Sequence, residues 1–456
     1  MHQRAQQPFA PTSATRIAIV GGGPTGYTLA GLLALRGIRS VVYDDGRKPE
    51  LIVGESLLPA AVPIFQRLGI EDRVAAISQH KPGASFFHTS GHRIDFSFKN
   101  AENPLPGYAY NSPRPALDHL LAERARELGV KIVPQRAKLA FDKATRKVNL
   151  KPESLTAAGF GTDSDLAEQP ALIIDATGRT RAIARGLDLP SARGGRDDVS
   201  YFAHFKNFRH DEVPEGQIII SALTHGWCWR IPLPGGRLSV GVVLDRKRAL
   251  GLGGSPAERL EHLIATEPLL KDCGREAERV TKVFAYANYQ WISEITQADG
   301  WLLAGDAFGF VDPMLSPGLF MGLESARLLD HHLFGSAGES ASTAVLDSPP
   351  LLASRSKNYA AEMHHWHASW SSLIHYFYSG EIFQFYWAGE QIMEKHGGSK
   401  VGDAINQKVN GHINRQIAMM ASGGTTRSRY SRSLLWLFSK TMVHGAPPRE
   451  QFCVSK

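Results

Sequence analysis

Residues 16–44 read RIAIVGGGPTGYTLAGLLALRGIRSVVYD, and this stretch decides the fold. The apolar run that ends at Val20 predicts a buried strand, and the leucines after Gly26 recur at helical spacing. Residues 40–43 predict a second strand, which ends in Asp44. A strand, a glycine turn, a helix and a second strand open a doubly wound parallel sheet, so we predict an α/β fold.

The glycine turn has the spacing of a dinucleotide-binding site. Gly21 allows the tight turn, Gly23 allows the backbone to approach a pyrophosphate, and Gly26 allows the helix to pack on the strand. The amides and dipole of the helix N-terminus attract phosphate, and Asp44 is placed to accept hydrogen bonds from a ribose. Within the turn we predict these cofactor-binding residues: Gly21, Gly23, Pro24, Thr25 and Gly26.

Later elements indicate an interleaved arrangement of two domains with a helical end. Strands are predicted at 171–174 and 301–304, and residues 199–245 alternate as in an antiparallel sheet that covers a pocket. The predicted division is a disordered arm (1–15), a discontinuous cofactor-binding domain (16–80, 110–190 and 290–330), a substrate-binding sheet domain (81–109 and 191–289) and a helical C-terminal region (331–456).

The formal net charge of +7 is concentrated near the C-terminus. From Val401 onward there are eight Lys and Arg residues against two acidic residues. A basic tail of this kind attracts an acidic protein partner, although a merely solvated segment has the same composition. No nucleic-acid-binding motif accompanies the charge.

Targeting and cysteine usage favour a cytoplasmic protein. The polar first 15 residues do not resemble a secretory signal, and no stretch approaches the roughly 18 apolar residues of a membrane span. Three cysteines, at positions 228, 273 and 453, have no paired spacing, so we expect neither a disulfide framework nor a zinc site.

Two further motifs each follow a predicted strand, DATGR at 175–179 and GDAFGFVDP at 305–313. With the glycine turn, in this order, they resemble the flavin-dependent halogenases and the halogenase-like FAD monooxygenases. The resemblance covers about residues 16–330. It implies a glutathione-reductase-like FAD-binding domain, FAD as the cofactor and dioxygen as co-substrate.

The resemblance extends to segments that contact FAD in the family. GESLLP at 54–59 contributes Glu55 and Ser56, YNSPRPALDHLL contributes Arg114, and Asp306 matches the residue that binds the ribityl chain. The helix after Gly318 would direct its N-terminus at the flavin ring. The later positions that it implies for the cofactor are Asp175, Gly178, Gly305, Asp306, Pro313, Pro317 and Gly318.

Catalytic candidates come from the same resemblance. Lys81, in HKPGASF, matches the lysine of the halogenases, and we take Lys81 or His80 as the group that handles protons. A surface lysine in a Lys-Pro-Gly turn is the alternative for Lys81.

The motif WCWRIP matches the WxWxIP of the halogenases, which places Trp227 and Trp229 between flavin and substrate. Ordinary core filling is the alternative for two indoles on one face of a strand. FVDPMLSPG fits the family's FxxPxxSxG pattern, and Ser316 is its serine. The His364 and His367 pair lacks a carboxylate at ligand spacing, so no metal is predicted.

Two departures from the family favour hydroxylation over halogenation. Halogenases hold chloride with backbone amides at the end of the SxG motif, and here Pro317 has no amide proton. The tryptophan-directed members have a glutamate just before the serine, where this chain has Leu315. Oxygen transfer to a ring needs no halide. We therefore predict an FAD-dependent monooxygenase that hydroxylates an electron-rich aromatic ring.

The substrate, partner and electron source stay open at this point. No second dinucleotide fingerprint is present, which favours a separate flavin reductase over NAD(P)H bound by this chain. One branch of halogenase-like flavoproteins hydroxylates a tryptophan of a partner protein during tryptophylquinone maturation, and a basic tail suits an acidic partner. The alternatives are a halogenase of a phenol, pyrrole or carrier-bound aromatic, a prenyl-chain reductase, and a flavin-binding protein without catalysis.

Overall fold

The computed structural model describes residues 16–102, 104–160, 169–210, 212–287, 290–335, 343–383, 408, 411–412, 415–440 and 454. The predicted arm at 1–15 and much of the predicted basic tail, including Arg449 and Lys456, lie outside these residues.

The described residues form twenty-one strands, and we number them along the chain. They are β1 Ile17–Val20, β2 Ser40–Tyr43, β3 Gln79–Lys81, β4 Gly83–Phe87, β5 Arg93–Ser97, β6 Ala109–Asn111, β7 Lys131–Val133, β8 Leu139–Asp142, β9 Lys147–Leu150, β10 Leu172–Asp175, β11 Ser191–Arg193, β12 Asp198–Lys206, β13 Ile218–Ala222, β14 Trp227–Leu233, β15 Arg237–Asp245, β16 Glu278–Arg279, β17 Phe284–Ala287, β18 Trp291–Ser293, β19 Gln297–Ala298, β20 Trp301–Leu303 and β21 Gly309–Phe310.

The helices are numbered in the same way up to residue 378. They are α1 Pro24–Leu35, α2 Val62–Leu68, α3 Glu71–Ala76, α4 Arg114–Glu127, α5 Pro152–Ala158, α6 Ala182–Gly186, α7 Arg246–Gly251, α8 Pro256–Thr266, α9 Pro317–Phe334 and α10 Pro349–Tyr378. Residues 415–421 are helical as well, and a further helix spans Arg429–Lys440.

A six-stranded sheet in the order β19-β20-β10-β1-β2-β7 forms the first layer. All its neighbours run parallel except β19 and β20. Every residue of β1, β2 and β10 is buried, as expected where helices cover both faces of a parallel sheet. The α/β doubly wound fold class is thereby confirmed, with strand and helix ends within about two residues of the predicted ones.

An eight-stranded sheet forms the second layer, with the path β16-β12-β15-β14-β13-β4-β5 and with β17 paired to β12. The sequence predicts an antiparallel sheet here, but β4 and β13 pair in parallel. This pairing brings the segment after Lys81 beside the strands of the 199–245 region. One face of the sheet joins the main core through Phe86 and Trp229, and the other packs against α8, where Leu260 of the helix and Val242 of β15 share a core cluster. The domain boundaries given above stay a proposal.

No described helix is both long enough and apolar enough to cross a membrane. The longest, α10, buries Trp366, Trp370 and Phe377 against the main core. The helical character predicted for the C-terminal region therefore has a packing reason, because one side of α10 covers α9.

A buried ion cluster joins α1, α2 and α9. Asp330 is fully buried and accepts hydrogen bonds from Arg36 Nη2 at 3.0 Å and from Arg67 Nη2 at 2.6 Å. Arg36 also donates to the carbonyl of Gly335 at 2.7 Å, just after α9 ends. One carboxylate thus fixes the last turn of α9 against the first domain.

We expect Asp330→Asn to lower the free energy of unfolding by about 3–5 kcal/mol, because two buried guanidinium groups lose their counter-charge. Urea denaturation followed by far-UV circular dichroism measures the change. The exposed pair of Asp347 with Arg16 is the matched control, and Asp347→Asn should change stability by about 0–1 kcal/mol. If the two substitutions lowered the free energy of unfolding equally, the buried cluster would stabilise the fold no more than the exposed pair does.

Candidate functional site

The glycine turn after β1 forms an open cradle. Gly21 has φ +112°, and a Cβ on Gly26 would lie 2.0 Å from the Gly21 carbonyl oxygen, so neither position admits a side chain without displacement. A Cβ on Gly23 would meet nothing within 4 Å. The backbone at Gly23 therefore faces open space at the N-terminus of α1, where the sequence predicts a pyrophosphate.

The first turn of α1 is free for an anion. Pro24 takes the first helical position, Gly23 offers no side-chain cap, and the turn contains no acidic residue. The Thr25 side chain packs between Gly305 and Gly322. A Cβ added to Gly305 would lie 2.4 Å from Thr25 Oγ1, and a Cβ added to Gly322 would lie 2.6 Å from the same atom. The loop after β20 and the helix α9 therefore both close on the start of α1.

Asp44 lies beside the glycine turn, as predicted, but its carboxylate already has partners. Tyr27 donates to its Oδ2 at 2.7 Å, and Lys48 Nζ donates to the same atom at 3.0 Å. Lys48 Nζ also donates to the carbonyl of Gly22 at 2.6 Å. A ribose contact with Asp44 stays a proposal, and it requires Lys48 to share this carboxylate.

Asp306 follows β20 and is partly exposed to the cleft. Burial raises the pKa of its carboxyl to about 6, while the charges of Arg114 and Arg179 oppose that rise. Among the described residues, no group donates a hydrogen bond to its side chain. Arg114 itself is buried and donates to Asp118 at 3.0 Å and to the carbonyl of Val53 at 2.7 Å.

These features fit FAD. The open cradle at Gly23 and the uncapped start of α1 suit the pyrophosphate, and the nearby Arg114 and Arg179 add positive charge. The unbonded carboxylate of Asp306 suits the hydroxyls of the ribityl chain. When bound, FAD would supply redox chemistry that no side chain of the chain provides.

The prediction that Asp175 contacts the cofactor needs correction. Its Oδ1 accepts from the Thr177 amide at 2.9 Å and from the Thr177 hydroxyl at 2.6 Å, and its Oδ2 accepts from the Ile183 amide at 2.7 Å. Both oxygens therefore hold the loop between β10 and α6. Gly178, in the same loop, has φ +60° and open space where its Cβ would lie.

Glu55 also differs from its predicted cofactor role. Its carboxylate Oε1 lies 2.8 Å from His204 Nε2, and both side chains are buried. His204 was not identified from sequence. It shares the inward parity of Phe202 on β12, but a partner 149 residues away leaves no local signal.

Lys81 is 1% exposed, so a surface turn is excluded. Its Nζ donates to Ser56 Oγ at 2.7 Å and to the carbonyl of Leu57 at 2.8 Å. Ser56, predicted to bind the cofactor, instead orients this amine. Burial lowers the pKa of the Lys81 amine to about 7. The amine therefore exchanges a proton near neutral pH.

His80 does not line the cavity at Lys81. Neighbouring residues of a strand point to opposite faces, so His80 is exposed where Lys81 is buried. Its ring lies 5.6 Å from that of Tyr108. The prediction that His80 handles protons in the pocket is therefore wrong for this geometry.

A small cavity lies at Lys81, with about 20 Å³ of space for a water-sized molecule. Lys81 is the one charged residue among its described lining residues, and the others are apolar. A neighbouring cavity of about 10 Å³ by the same measure shares Phe86 and Ile220 with it and reaches Trp227. The described residues around the first cavity are Leu58, Lys81, Ala84, Phe86, Phe96, Phe98, Ile218, Ile220, Leu315 and Ala421.

Trp227 and Trp229 lie on the cavity face of β14. Their rings are 5.8 Å apart, and both side chains are buried. Trp227 Nε1 donates to the hydroxyl of Tyr378 at 2.8 Å, and Trp229 Nε1 donates to Ser239 Oγ at 3.3 Å. Trp227 lines the second cavity, whereas Trp229 packs over Gly241.

The turn before α9 contributes to both cavities. Leu315 lines the first and Met314 the second. Leu315 and Ser316 adopt left-handed φ angles of 71° and 59°, which strains two consecutive non-glycine residues. The Ser316 amide donates to the carbonyl of Pro313 at 2.9 Å.

Pro317 starts α9, and the Ser316 side chain makes no cap hydrogen bond, contrary to an N-cap role. In the SPG segment the Ser316 amide is hydrogen-bonded to Pro313 and Pro317 has no amide proton. The Gly318 amide is therefore the remaining donor of the segment. Gly318 packs on Phe310, whose ring carbon would lie 3.2 Å from an added Cβ. No three His, Cys, Asp or Glu residues of the described chain form a set that could hold a metal.

Two family models match the chain. Residues 14–154 match an FAD binding domain, and residues 102–347 match a tryptophan halogenase model. The chain is similar to a tryptophan 2-halogenase of Chondromyces crocatus, with 29% identity over 69% of this chain and 60% of that protein. It is also similar to a 1H-pyrrole-2-carbonyl-(peptidyl-carrier protein) chlorinase of Pseudomonas fluorescens, with 26% identity over 68% of this chain and 74% of that protein.

Solved structures share the fold. A triple mutant of the flavin-dependent brominase Bmp2 has a TM-score of 0.71 at 19% identity, over 92% of this chain and 97% of that one. A flavoprotein/dehydrogenase from Cytophaga hutchinsonii has a TM-score of 0.70 at 21% identity, over 94% of this chain and 99% of that one. Together with the family models, these findings confirm FAD as the cofactor.

We expect Gly23→Ala to weaken FAD binding at least about tenfold, because the new methyl group would occupy the space left for the pyrophosphate. The apo-protein should keep its melting temperature, since that methyl group meets nothing within 4 Å. Titration with FAD, followed by flavin fluorescence, measures the affinity. Gly251→Ala, also with open space around the new Cβ, should change neither quantity. Unaltered affinity of the Gly23→Ala protein would place FAD elsewhere.

We expect Lys81 to make stability rise with pH. Above about pH 7 the folded amine loses its proton, while the unfolded chain keeps it up to pH 10.5. Within that window the unfolded state binds more protons, so the free energy of unfolding increases by about 1.4 kcal/mol per pH unit from this group.

Urea denaturation at pH 7, 8 and 9 tests this slope as the difference between the wild type and Lys81→Met. Other titrating groups cancel in that difference. The exposed Lys282 is the control, and Lys282→Met should leave the wild-type slope intact. A difference that stays constant with pH would show that the Lys81 amine is charged when folded.

Proposed function

The chain belongs to the tryptophan halogenase family, whose model matches more than half of it, and within that family we propose that it is an FAD-dependent monooxygenase of an electron-rich aromatic ring. The observation that carries the proposal is a buried amine in an apolar cavity beside a turn that lacks a halide-binding amide. Lys81 provides the amine, and Pro317 removes the amide.

The described walls of the two cavities are apolar apart from Lys81. As the side chains stand, the cavities leave only about 20 and 10 Å³ for a water-sized molecule, so an aromatic ring enters only when lining side chains move aside. Trp227 lines the second cavity and excludes water from that side. A planar ring that enters this space is held by shape, with few polar contacts.

Lys81 is the group that handles protons in this proposal. Reduced FAD, when bound, supplies the activation of dioxygen. In its protonated form the Nζ of Lys81 donates a hydrogen bond to an oxygen atom that enters the cavity, and in its neutral form it accepts the proton that the substituted ring releases. A pKa of about 7 lets both forms exist at neutral pH.

The turn before α9 argues against halide use. The Ser316 amide is bonded to Pro313, Pro317 has none, and Gly318 alone remains in the SPG segment. An anion site that loses one of two donors is weakened by about 1–3 kcal/mol. Leu315, where the tryptophan-directed halogenases have a glutamate, lines the cavity without a charge.

Halogenation is the second candidate, because the relatives named above carry halogenase names. The resemblance matches Lys81 to the lysine that handles hypohalous acid in the halogenases. None of those relatives is a prenyl-chain reductase, so we do not propose that activity.

The electron donor and the partners are further proposals. A separate flavin reductase would supply reduced FAD, since the sequence carries no second dinucleotide fingerprint for NAD(P)H. A tryptophan of an acidic partner protein, as in tryptophylquinone maturation, is a substrate that the basic C-terminal region would attract. Arg427, Arg429 and Arg432 lie together near His365, whose pKa they lower after the effect of burial.

Product mass in bromide buffer separates the two reactions. With reduced FAD, dioxygen and bromide, we expect wild-type protein to add one oxygen atom, about 16 Da, to an aromatic probe such as phenol, indole or a tryptophan-containing acidic polypeptide. Bromine in the product would overturn hydroxylation and establish the halogenase alternative. Oxygen added to the polypeptide alone would identify a protein substrate.

Pro317→Ala restores the missing amide, so we expect this variant to become sensitive to bromide and to form some brominated product. Pro349 occupies the same first position in α10 but is exposed and remote from the cavities. Pro349→Ala is therefore the matched control and should behave as the wild type does. A Pro317→Ala protein with wild-type products in bromide would show that this amide does not decide halide use.

A further inference from the structure

The turn before α9 contains a buried carboxylate that the chemistry above does not use. Asp312 is 5% exposed, and its Oδ1 accepts from the Met314 amide at 2.9 Å and from the Tyr378 hydroxyl at 3.0 Å. Its Oδ2 accepts from Gln290 Nε2 at 2.6 Å. One side chain therefore joins the turn before α9, the segment before β18 and the last residue of α10.

Tyr378 extends this set of hydrogen bonds to the wall of the cavity. Its hydroxyl accepts from Trp227 Nε1 at 2.8 Å while it donates to Asp312. Trp227, Met314 and Phe377 line the second cavity together. Asp312 thus reaches two cavity residues, Met314 through its amide and Trp227 through Tyr378.

The charge of Asp312 fixes the direction of the hydrogen bonds, which run from the Trp227 indole to the Tyr378 hydroxyl and from that hydroxyl to the carboxylate. An ionised carboxylate can only accept, so the Tyr378 hydroxyl must donate to it and offers its oxygen to the indole. Burial raises the pKa of Asp312 to about 6, and the charge of Arg196, whose guanidinium lies 3.9 Å from the centre of the Tyr378 ring, opposes that rise, so the carboxylate is ionised above that pH. Arg196 also pairs with the buried Asp198, which keeps that second carboxylate neutralised.

We propose that Asp312 is a positioning residue that fixes the Trp227 indole through Tyr378 and fixes Met314 through its amide. One carboxylate then aligns two walls of the second cavity and selects the orientation in which an aromatic substrate presents its ring. The word substrate here rests on the proposed function, whereas the alignment of the walls does not.

The test is a spectroscopic signature of Trp227 in the FAD-loaded protein. The chain has eight tryptophans, so a ¹H–¹⁵N spectrum shows at most eight indole signals, and Trp227→Phe identifies the one of interest. We expect Tyr378→Phe to shift this signal upfield and to speed its exchange with solvent about tenfold, since one hydrogen bond is lost. Tyr378→Phe keeps the ring that packs on Arg196.

Asp312→Asn should shift the same signal in the same direction by a smaller amount, although the residue does not touch the indole. Tyr430→Phe removes an exposed hydroxyl near His412 and should leave the signal in place. Thermal unfolding of each variant separates this effect from loss of the fold.

An unmoved Trp227 signal in folded Tyr378→Phe or folded Asp312→Asn protein would overturn the inference. Because the spectra are recorded without turnover, they do not depend on the product-mass experiment. A brominated product with the expected shifts would end the hydroxylase proposal and leave Asp312 as a positioning residue.

Discussion

The close approach of three chain segments at the first turn of α1 is the constraint on which the rest of the structure depends. The turn after β1, the loop after β20 and the helix α9 meet there with only the small side chain of Thr25 between the last two. Thr25 fits between Gly305 and Gly322, and Gly26 lies against the carbonyl of Gly21. This contact positions α9 and the turn before it, whose Leu315 lines the cavity at Lys81, and Asp330 secures the other end of the same helix. The open space at Gly23 and one wall of that cavity therefore depend on the same packing arrangement.

The sequence was most informative where function restricts the backbone. The glycine spacing at 21, 23 and 26 predicts the parallel sheet, and the structure shows that positions 21 and 26 admit no side chain in that geometry. The paired tryptophans at 227 and 229 were correctly placed on one face of a strand, since parity alone determines the face. Lys81 was identified by resemblance, but whether it was buried could not be decided locally. Its burial depends on residues such as Ile218 and Leu315, which line the same cavity from more than a hundred positions away.

Side-chain partners were the part that sequence could not supply. Asp175 and Glu55 are acids in motifs that resemble FAD contacts, yet their carboxylates bond to the loop before α6 and to His204. A motif fixes the path of the backbone, whereas the nearest donor to a carboxylate is set by tertiary packing. The same reason explains why the motif GDAFGFVDP does not by itself predict a role for Asp312. Its partners Gln290 and Tyr378 come from other segments.

Glu55 and Ser56 show how the two domains share one chemical environment. They are consecutive, so in an extended loop their side chains point in opposite directions, one to His204 on the sheet and the other to the amine of Lys81. Ser56 Oγ and the Leu57 carbonyl are acceptors, which favour a charged amine, yet the apolar walls win and the pKa falls to about 7. The apolar lining therefore weighs more on the protonation of this amine than its two hydrogen-bond acceptors do.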